Sequence, residues 1–347
     1  SWKAGYGEVR EADLLMGETR DFNKAQPGWN MPGFNDAAWD SVITAAPGEI
    51  TALVQPCPGD PVRAFETLTA KKMTEPKPGV FVYDLGQNMV GWAKFTVNGK
   101  AGDRIVVRQA EMLQPEDGML YTVALRSARA IDTYVLAKDG RITLEPNFTF
   151  HGFRYVEISG VSEAPALEEV QGIVLRSNIP RTAFFEASDP LLTQLAQNIV
   201  WGQRGNYLEA PTDCPQRDER LGWTGDAQFF MPTALYTADI GAFHTKWLVD
   251  LIDDSQHADG SFAHVAPDMN IGSGAVAWGD AAIICPYLMY RFYGDTRIIE
   301  RHYDAMVKGM AFFENTSENF IRKDLGFGDW VNLGGCAKDE VICTAYY

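Results

Sequence analysis

The first half of the chain contains short runs in which apolar and polar residues alternate. A period of two places successive side chains on opposite faces of a β-strand, and turn residues such as Asn98-Gly99 separate the runs. Because no helical stretch lies between them, the pattern predicts an antiparallel β-sandwich, of jelly-roll type. The predicted strands lie at 80–83, 93–97, 104–108, 131–136, 142–144 and 155–159.

After residue 180 the apolar positions recur at helical spacing instead. Asp189 followed by Pro190 supplies a helix N-cap and a first turn, and apolar residues then follow three and four positions apart from Leu191 to Val200. The second half is therefore predicted to be mainly α-helical. The predicted helices lie at 191–200, 229–236, 241–253, 275–293 and 296–313.

These patterns divide the chain into four parts. Residues 1–50 are polar and rich in turns, and we expect them to be the tail of an N-terminal β-sandwich domain. A β-sandwich domain is predicted over 51–165, a linker over 166–180, and the first part of a helical domain over 181–347. The last five residues are apolar and aromatic, which predicts that the chain stops inside an element.

Composition narrows the partners that the protein can have. The 30 Lys and Arg residues against 46 Asp and Glu give 30 − 46 = −16, a charge that repels phosphate backbones and anionic lipids. No apolar run approaches the ~20 residues that span a bilayer. We therefore expect no nucleic acid and no membrane partner. The sequence leaves the compartment undetermined.

The densest group of reactive side chains lies at 213–226. Four carboxylates, two arginines and a tryptophan share this stretch, and its prolines and glycines favour a loop that leads into a helix. Crowded carboxylates favour one group that keeps its proton, while an arginine keeps another ionised, so the stretch could supply both an acid and a base. The structural alternative is a surface network of ion pairs around a packed tryptophan.

Two further segments place an indole beside a carboxylate. They are Trp278 near Asp280, and Asp329 before Trp330. Aromatic faces stack on the C–H faces of sugar rings while carboxylates accept hydrogen bonds from hydroxyls, so such pairs suit a carbohydrate pocket. The alternative is that both tryptophans fill the core.

The other reactive residues are expected to have structural roles rather than catalytic ones. His257 and His264 flank a glycine and have no cysteine nearby, so we expect structural or hydrogen-bonding roles for them. Cys214 could be a nucleophile, but a small buried packing role is favoured because no histidine neighbours it. The absence of a CxxC pair among five cysteines excludes a zinc knuckle and a thioredoxin motif. No metal-binding residue and no cofactor is predicted, and the sequence leaves calcium binding undetermined.

The 213–226 stretch closely resembles the signature of the bacterial α-L-rhamnosidases of glycoside hydrolase family 78. Further matches cover essentially the whole chain: Gly17-Glu18-Thr19-Arg20, Pro27-Gly28-Trp29, 84–92, Gly152-Phe153-Arg154-Tyr155, Trp278-Gly279-Asp280 and Gly328-Asp329-Trp330. The resemblance implies a β-sandwich domain followed by a catalytic (α/α)₆ barrel, which is incomplete in this chain.

The resemblance also implies roles for individual residues. Glu219 matches the general acid that protonates the glycosidic oxygen as rhamnose leaves. The residues that match the rhamnose-binding neighbours are Asp213, Arg217, Trp223 and Asp226, with Trp278, Asp329 and Trp330 as further lining.

Inverting hydrolysis needs a second carboxylate about 6.5–9.5 Å from the acid. In the family this base is a glutamate late in the barrel, and no glutamate after residue 314 here has a matching context. Glu340, the last glutamate, is not a candidate. We expect the base to lie beyond Tyr347, and the uncovered helices to associate with a missing C-terminal segment or with a partner such as a second copy.

The leading hypothesis is therefore an inverting α-L-rhamnosidase that acts on terminal α-L-rhamnosyl residues of glycosides or polysaccharides. One alternative is a non-catalytic carbohydrate-binding protein. Another is an (α/α)₆ glycoside hydrolase of different sugar specificity.

Overall fold

The computed structural model describes residues 2–52, 54, 56–323, 326–334 and 337–347. Contacts divide the chain into two compact units. The first comprises Ser1–Cys57, Ala64–Leu175 and Gln216–Asp218; the second comprises Pro58–Arg63, Arg176–Pro215 and Glu219–Tyr347. The four-part division predicted from the sequence stays a prediction.

Strands dominate the chain up to Ser177. Three short 3₁₀ helices, Phe22–Lys24, Val123–Leu125 and Leu167–Glu169, lie between them. The strands are β1 (Lys3–Ala4), β2 (Val9–Asp13), β3 (Gly17–Asp21), β4 (Asp40–Ser41), β5 (Val62–Thr69), β6 (Lys72–Lys77), β7 (Val80–Gly99), β8 (Arg104–Ala110), β9 (Met112–Leu113), β10 (Leu120–Tyr121), β11 (Ile131–Val135), β12 (Gly140–Leu144), β13 (His151–Ser159) and β14 (Val170–Ser177).

Ten of these strands form one curled sheet. Its order is β2-β3-β11-β8-β13-β7-β14-β5, and β6 and β12 also pair with β7. The 20-residue β7 holds the sheet together, because its first part pairs with β6 and β13 and its last part with β12 and β14. Strand β3 runs parallel to β11, whereas β7 is antiparallel to β6, β12, β13 and β14. The sequence predicted two separate strands, 80–83 and 93–97, where the structure has this single long one.

Two motifs of the first unit act as structural crosslinks. Buried Glu18 accepts hydrogen bonds from the backbone N–H groups of Asn147 (2.9 Å) and Phe148 (2.8 Å). Arg154 donates from Nε and Nη2 to the two carboxylate oxygens of Asp84, at 2.7 and 2.8 Å. A bidentate pair of this kind fixes orientation. These residues therefore stabilise the sheet.

The second unit is helical. Two small hairpins accompany the helices: β15 (Tyr207–Leu208) with β16 (Ala210–Pro211), and β17 (Ser317–Glu318) with β18 (Ile321–Arg322). None of the helices among the described residues is long and apolar enough to cross a membrane. The helices are α1 (Pro190–Asn206), α2 (Thr224–Thr237), α3 (Gly241–Ile252), α4 (Ala281–Tyr293), α5 (Arg297–Asn315) and α6 (Asp339–Ala345).

Helices α2, α3 and α4 supply most of the second unit's core. Trp247, Leu251 and Met231 are fully buried in it. The predicted N-cap of α1 is confirmed, because Asp189 accepts a hydrogen bond from the Leu191 N–H at 2.9 Å. The predicted start of α4 at residue 275 is wrong. Ala277 has a left-handed φ of +68°, which a right-handed helix cannot contain, and the helix begins at Ala281.

Candidate active site

Glu219 lies on a loop that begins after β16 and ends at α2. The base of the loop is closed by two hydrogen bonds, from Asp213 N–H to the Leu221 carbonyl and from Leu221 N–H to Asp213 Oδ1, both 3.1 Å. Prolines and a left-handed φ of +54° at Arg220 exclude a continuous helix. The predicted loop leading into a helix is present, although α2 begins at Thr224, five residues earlier than predicted.

The end of this loop is fixed to a neighbouring segment by close backbone contact. Ala266 N–H donates to the Gly222 carbonyl at 2.9 Å, and Thr224 donates from both N–H and Oγ1 to the His264 carbonyl. A Cβ added to Gly222 would lie 2.1 Å from the Ala266 carbonyl oxygen. Only glycine fits there, so this approach sets where the loop ends and α2 begins.

The structure brings Asp213, Cys214 and Glu219 together. One ligand atom of each lies within 4.8 Å of the others; both carboxylates are half-buried, and Cys214 is buried. These donors could hold a metal ion, but a thiol between two carboxylates is not a donor set typical of one metal. Two adjacent half-buried carboxyl groups are side chains that can exchange protons with a bound substrate. The arrangement therefore suits acid catalysis.

A cluster of aromatic rings adjoins the end of the loop. Phe327 lies at its centre. The centroid of its ring is 6.1 Å from that of Trp223, 5.3 Å from His264, 4.6 Å from Trp278 and 5.5 Å from Trp330. We call these five residues the aromatic cluster. Three of its members were predicted site residues, whereas Phe327 was missed.

Several ring nitrogens of the aromatic cluster are buried without a partner. The indole N–H groups of Trp223 and Trp278 make no hydrogen bond to the described residues. His264 Nε2 accepts a hydrogen bond from Ala275 N–H at 3.1 Å, so its proton lies on Nδ1, which is also buried without a partner. Burial lowers the pKa of His264 and favours this neutral form. Unpaired buried donors are rare in proteins and indicate places where a polar ligand could bind.

Helix α2 contacts the aromatic cluster through its first turn. A Cβ on Gly225 would lie 2.7 Å from the Trp278 indole, so the helix backbone lies directly against the ring. The next residue, Asp226, is exposed. Asp226 and Asp213 line a pocket of about 440 Å³ together with Asn206 and Phe229. The structure thus joins the acidic loop, α2 and Trp278 in one region.

The remaining predicted residues are placed differently. Asp329 accepts hydrogen bonds from Ala337 N–H (3.0 Å) and Asn332 Nδ2 (2.5 Å), which hold the pKa of its carboxyl below the usual range. Its carboxylate is thus bonded within its own segment, next to the exposed Trp330. Arg217 belongs to the first unit, where it is half-buried. There its neighbour Asp218 pairs with Arg126 at 2.7 Å.

The two predicted histidines have hydrogen-bonding roles. His257 Nε2 lies 3.2 Å from Asp268 Oδ2, and His264 accepts the bond from Ala275 described above. Asp280, which follows Trp278 in sequence, is buried, and its burial raises the pKa of the carboxyl to about 6. Its carboxylate oxygens bond to Ala277 N–H and Arg322 Nη1.

Family models of bacterial α-L-rhamnosidases match three successive regions of the chain. The α-L-rhamnosidase N-terminal domain matches residues 1–66, the concanavalin-like domain matches 74–176, and the 6-hairpin glycosidase domain matches 180–347. Six hairpins comprise twelve helices, and the described part of the chain contains six. The predicted fold class, an antiparallel β-sandwich followed by an (α/α)₆ barrel, is confirmed.

Individual relatives agree with the family models. An α-L-rhamnosidase of Streptomyces avermitilis is 48% identical over 100% of this chain, which covers 33% of the relative. An α-L-rhamnosidase of Formosa agariphila is 40% identical over 100% of the chain and 38% of the relative. The chain spans about a third of the length of the curated relatives that it matches.

Solved structures show the same relationship. The crystal structure of the Streptomyces avermitilis α-L-rhamnosidase complexed with L-rhamnose has a TM-score of 0.95 and 47% identity, and covers 99% of this chain and 33% of that one. The α-L-rhamnosidase from Dictyoglumus thermophilum has a TM-score of 0.93 and 37% identity, covering 99% and 39%. The three family matches, the relatives and the fold together show that the chain belongs to the bacterial α-L-rhamnosidase family.

Proposed function

We propose that the protein containing this chain is an inverting α-L-rhamnosidase. It removes terminal α-L-rhamnosyl residues from glycosides or polysaccharides, with Glu219 as the general acid. The observation that supports this most is the position of Glu219. Its carboxyl group is close to that of Asp213, on a loop whose end packs against the aromatic cluster.

The surroundings of Glu219 suit a sugar that lacks one hydroxyl. The half-buried Trp223 and the exposed Trp330 offer apolar surface to ring C–H groups and to the 6-methyl group of rhamnose, while the buried Trp278 packs against Trp330 at a centroid distance of 6.0 Å. Asp213 and Asp226, which line one pocket, can accept hydrogen bonds from sugar hydroxyls. Arg217 and Asp329 are proposed as binding residues from the family resemblance alone.

Glu219 would act by protonating the leaving oxygen. A general acid must carry its proton before bond cleavage, and the half-buried Glu219 carboxyl group, within 4.8 Å of that of Asp213, is the group proposed for this step. The attacking water requires a second carboxylate as general base on the opposite side of the sugar. Its expected position beyond Tyr347 stays a prediction.

The direct test is release of L-rhamnose from an alkyl α-L-rhamnoside, which has a poor leaving group, by the intact protein. Glu219→Gln should lower turnover by about 10²–10⁴-fold, the usual contribution of a general acid, without loss of L-rhamnose binding. Glu314→Gln is the matched control, because Glu314 is an exposed glutamate on α5, and it should leave turnover unchanged.

Three results would contradict the proposed function. Binding of L-rhamnose without any release by the intact wild type would favour a carbohydrate-binding protein. Release of a different sugar would indicate another glycoside hydrolase specificity. Full activity of Glu219→Gln would remove Glu219 from the role of acid.

A further inference from the structure

Trp278 is held on a strained turn just before α4. Its neighbour Ala277 has a φ of +68°, in the left-handed region that residues with a Cβ rarely occupy. Such a conformation is unfavourable and persists only where surrounding contacts enforce it. Something must therefore hold this turn in place.

The Asp280 carboxylate is the group that holds it. Asp280 Oδ2 accepts a hydrogen bond from Ala277 N–H, which closes the turn around Trp278. Asp280 is only 2% exposed. Removing this acceptor would leave a buried N–H unsatisfied and remove a restraint on the left-handed residue.

The Asp280 carboxylate is in turn held in position by Arg322. Arg322 is fully buried, and its Nη1 lies 3.5 Å from Asp280 Oδ1. Its guanidinium carbon lies 4.1 Å above the centroid of the Phe313 ring, and its backbone N–H donates to Thr344 Oγ1 at 3.2 Å. Arg322 is therefore anchored by α5 and α6, independently of the turn that it supports.

This ion pair connects two of the stretches that contribute to the aromatic cluster. Trp278 belongs to the turn closed by Asp280. Phe327 and Trp330 follow β18, the strand that ends with Arg322, by five and eight residues. The rings meet at centroid distances of 4.6 Å for Trp278 with Phe327 and 6.0 Å for Trp278 with Trp330.

A contribution to folding stability does not account well for the ion pair of Asp280 with Arg322. Arg322 Nε and Nη2 are buried and have no hydrogen-bond partner among the described residues, so the guanidinium keeps much of its desolvation cost. A buried ion pair with incomplete hydrogen bonding is often no more stable than an apolar replacement of similar volume. A positional role accounts better for a charged pair at this place.

We propose that Asp280 and Arg322 are positioning residues for sugar binding. They hold the Trp278 ring against Phe327 and Trp330, and they do not touch the substrate. The effect on sugar affinity rests on the proposed function of the protein, whereas the effect on the position of Trp278 does not.

The positional claim is tested without any activity measurement. The intact protein is labelled with 5-fluorotryptophan, and the ¹⁹F resonance of Trp278 is identified by its loss in Trp278→Phe. Asp280→Asn and Arg322→Gln should each shift or broaden this resonance, and Arg322→Lys should restore much of the wild-type position. Asp250→Asn is the matched control, because it removes one carboxylate from the Lys246 ion pair on α3.

The kinetic consequence is measured on an aryl α-L-rhamnoside. Asp280→Asn should raise KM about tenfold, as expected for loss of one well-placed aromatic contact, and change kcat less than about twofold. A wild type that releases no rhamnose contradicts the proposed function, and the ¹⁹F result then decides the positional claim alone. If Asp280→Asn does not fold, the same two measurements on Arg322→Lys and Arg322→Gln decide the matter.

Two results would overturn the inference. One is a Trp278 resonance that stays at its wild-type position in both folded variants, Asp280→Asn and Arg322→Gln. The other is a KM that stays the same while thermal stability alone falls, because that pattern belongs to a purely structural ion pair.

Discussion

Gly225 shows how closely single positions constrain the candidate active site. Its backbone lies against the Trp278 indole, and even a methyl group would come within 2.7 Å of the ring. Because Gly225 is in the first turn of α2, alanine there is favourable for the helix itself. The helix favours alanine at this position, but the Trp278 ring leaves no space for its methyl group. We expect the lack of space to decide the stability of the variant.

We predict that Gly225→Ala displaces Trp278 and weakens sugar binding. The overpacking should cost about 1–3 kcal/mol of stability and raise KM on an α-L-rhamnoside. Gly202→Ala on α1 is the matched control, because nothing lies within 4 Å of the added Cβ. That variant should be unchanged or more stable by about 0.5–1 kcal/mol. Equal behaviour of the two variants in thermal denaturation and kinetics would contradict the packing argument.

Some residues of the site could be recognised from the sequence and others could not. The dense stretch around Glu219 is visible because acidic residues, arginines and glycines crowd together there. Phe327 was passed over, since one phenylalanine among 19 carries no chemical signal of its own. The pairing of Asp280 with Arg322 joins residues 42 positions apart, so it depends on tertiary structure that no local pattern reveals.

At the scale of elements, the helices follow the sequence pattern and their ends follow specific contacts. The predicted helix at 241–253 matches α3, where apolar residues recur on one face. Helix α4 begins six residues later than its apolar run suggests, because the turn that presents Trp278 occupies 275–280. The β-strands were found by alternation, but the continuity of β7 was hidden by the glycines inside it.

The junction of α3 with the β15–β16 hairpin contains a buried histidine. His244 is fully buried, and its Nε2 lies 3.2 Å from the Tyr207 hydroxyl, which can donate to it. Burial lowers the pKa of His244 to about 3. The folded state therefore keeps this ring neutral while the unfolded state takes up a proton near its ordinary pKa of about 6.5.

We predict that His244 makes the protein less stable as the pH falls below about 6.5. The stability it contributes is complete above this value and is lost progressively toward pH 3, by about 3 kcal/mol at pH 4.5. His244→Gln should make the fall of the melting temperature between pH 7 and 4.5 less steep, although the variant starts from a lower value. His257→Gln, at a half-exposed ring, is the control and should follow the wild type. Parallel curves for all three proteins would refute the assignment.

At the scale of the whole molecule, the helical unit exposes a large apolar surface. Side chains of α1, α2 and the segment before α1 line an apolar groove of about 480 Å³, and Leu192, Leu195 and Phe184 are about half exposed or more. Exposed patches of this kind favour association. The sequence also predicts that this chain associates.

We predict that residues 1–347, produced as a separate polypeptide, associate in solution. Analytical ultracentrifugation should show species larger than a monomer, and Leu192→Lys with Leu195→Lys should shift the distribution toward the monomer. Lysine at Leu191, which is more exposed but does not line the groove, is the control and should have a smaller effect. A compact monomer for the unmodified polypeptide would contradict the expectation.

The central claim is that Glu219 protonates the leaving group of an α-L-rhamnoside. The decisive measurement compares Glu219→Gln with the wild type on two substrates in the intact protein, one with a poor alkyl leaving group and one with an activated aryl leaving group. General acid catalysis predicts a loss of about 10²–10⁴-fold on the first and a much smaller loss on the second, because a good leaving group departs without a proton. Equal losses on the two substrates, or none on either, would contradict this account.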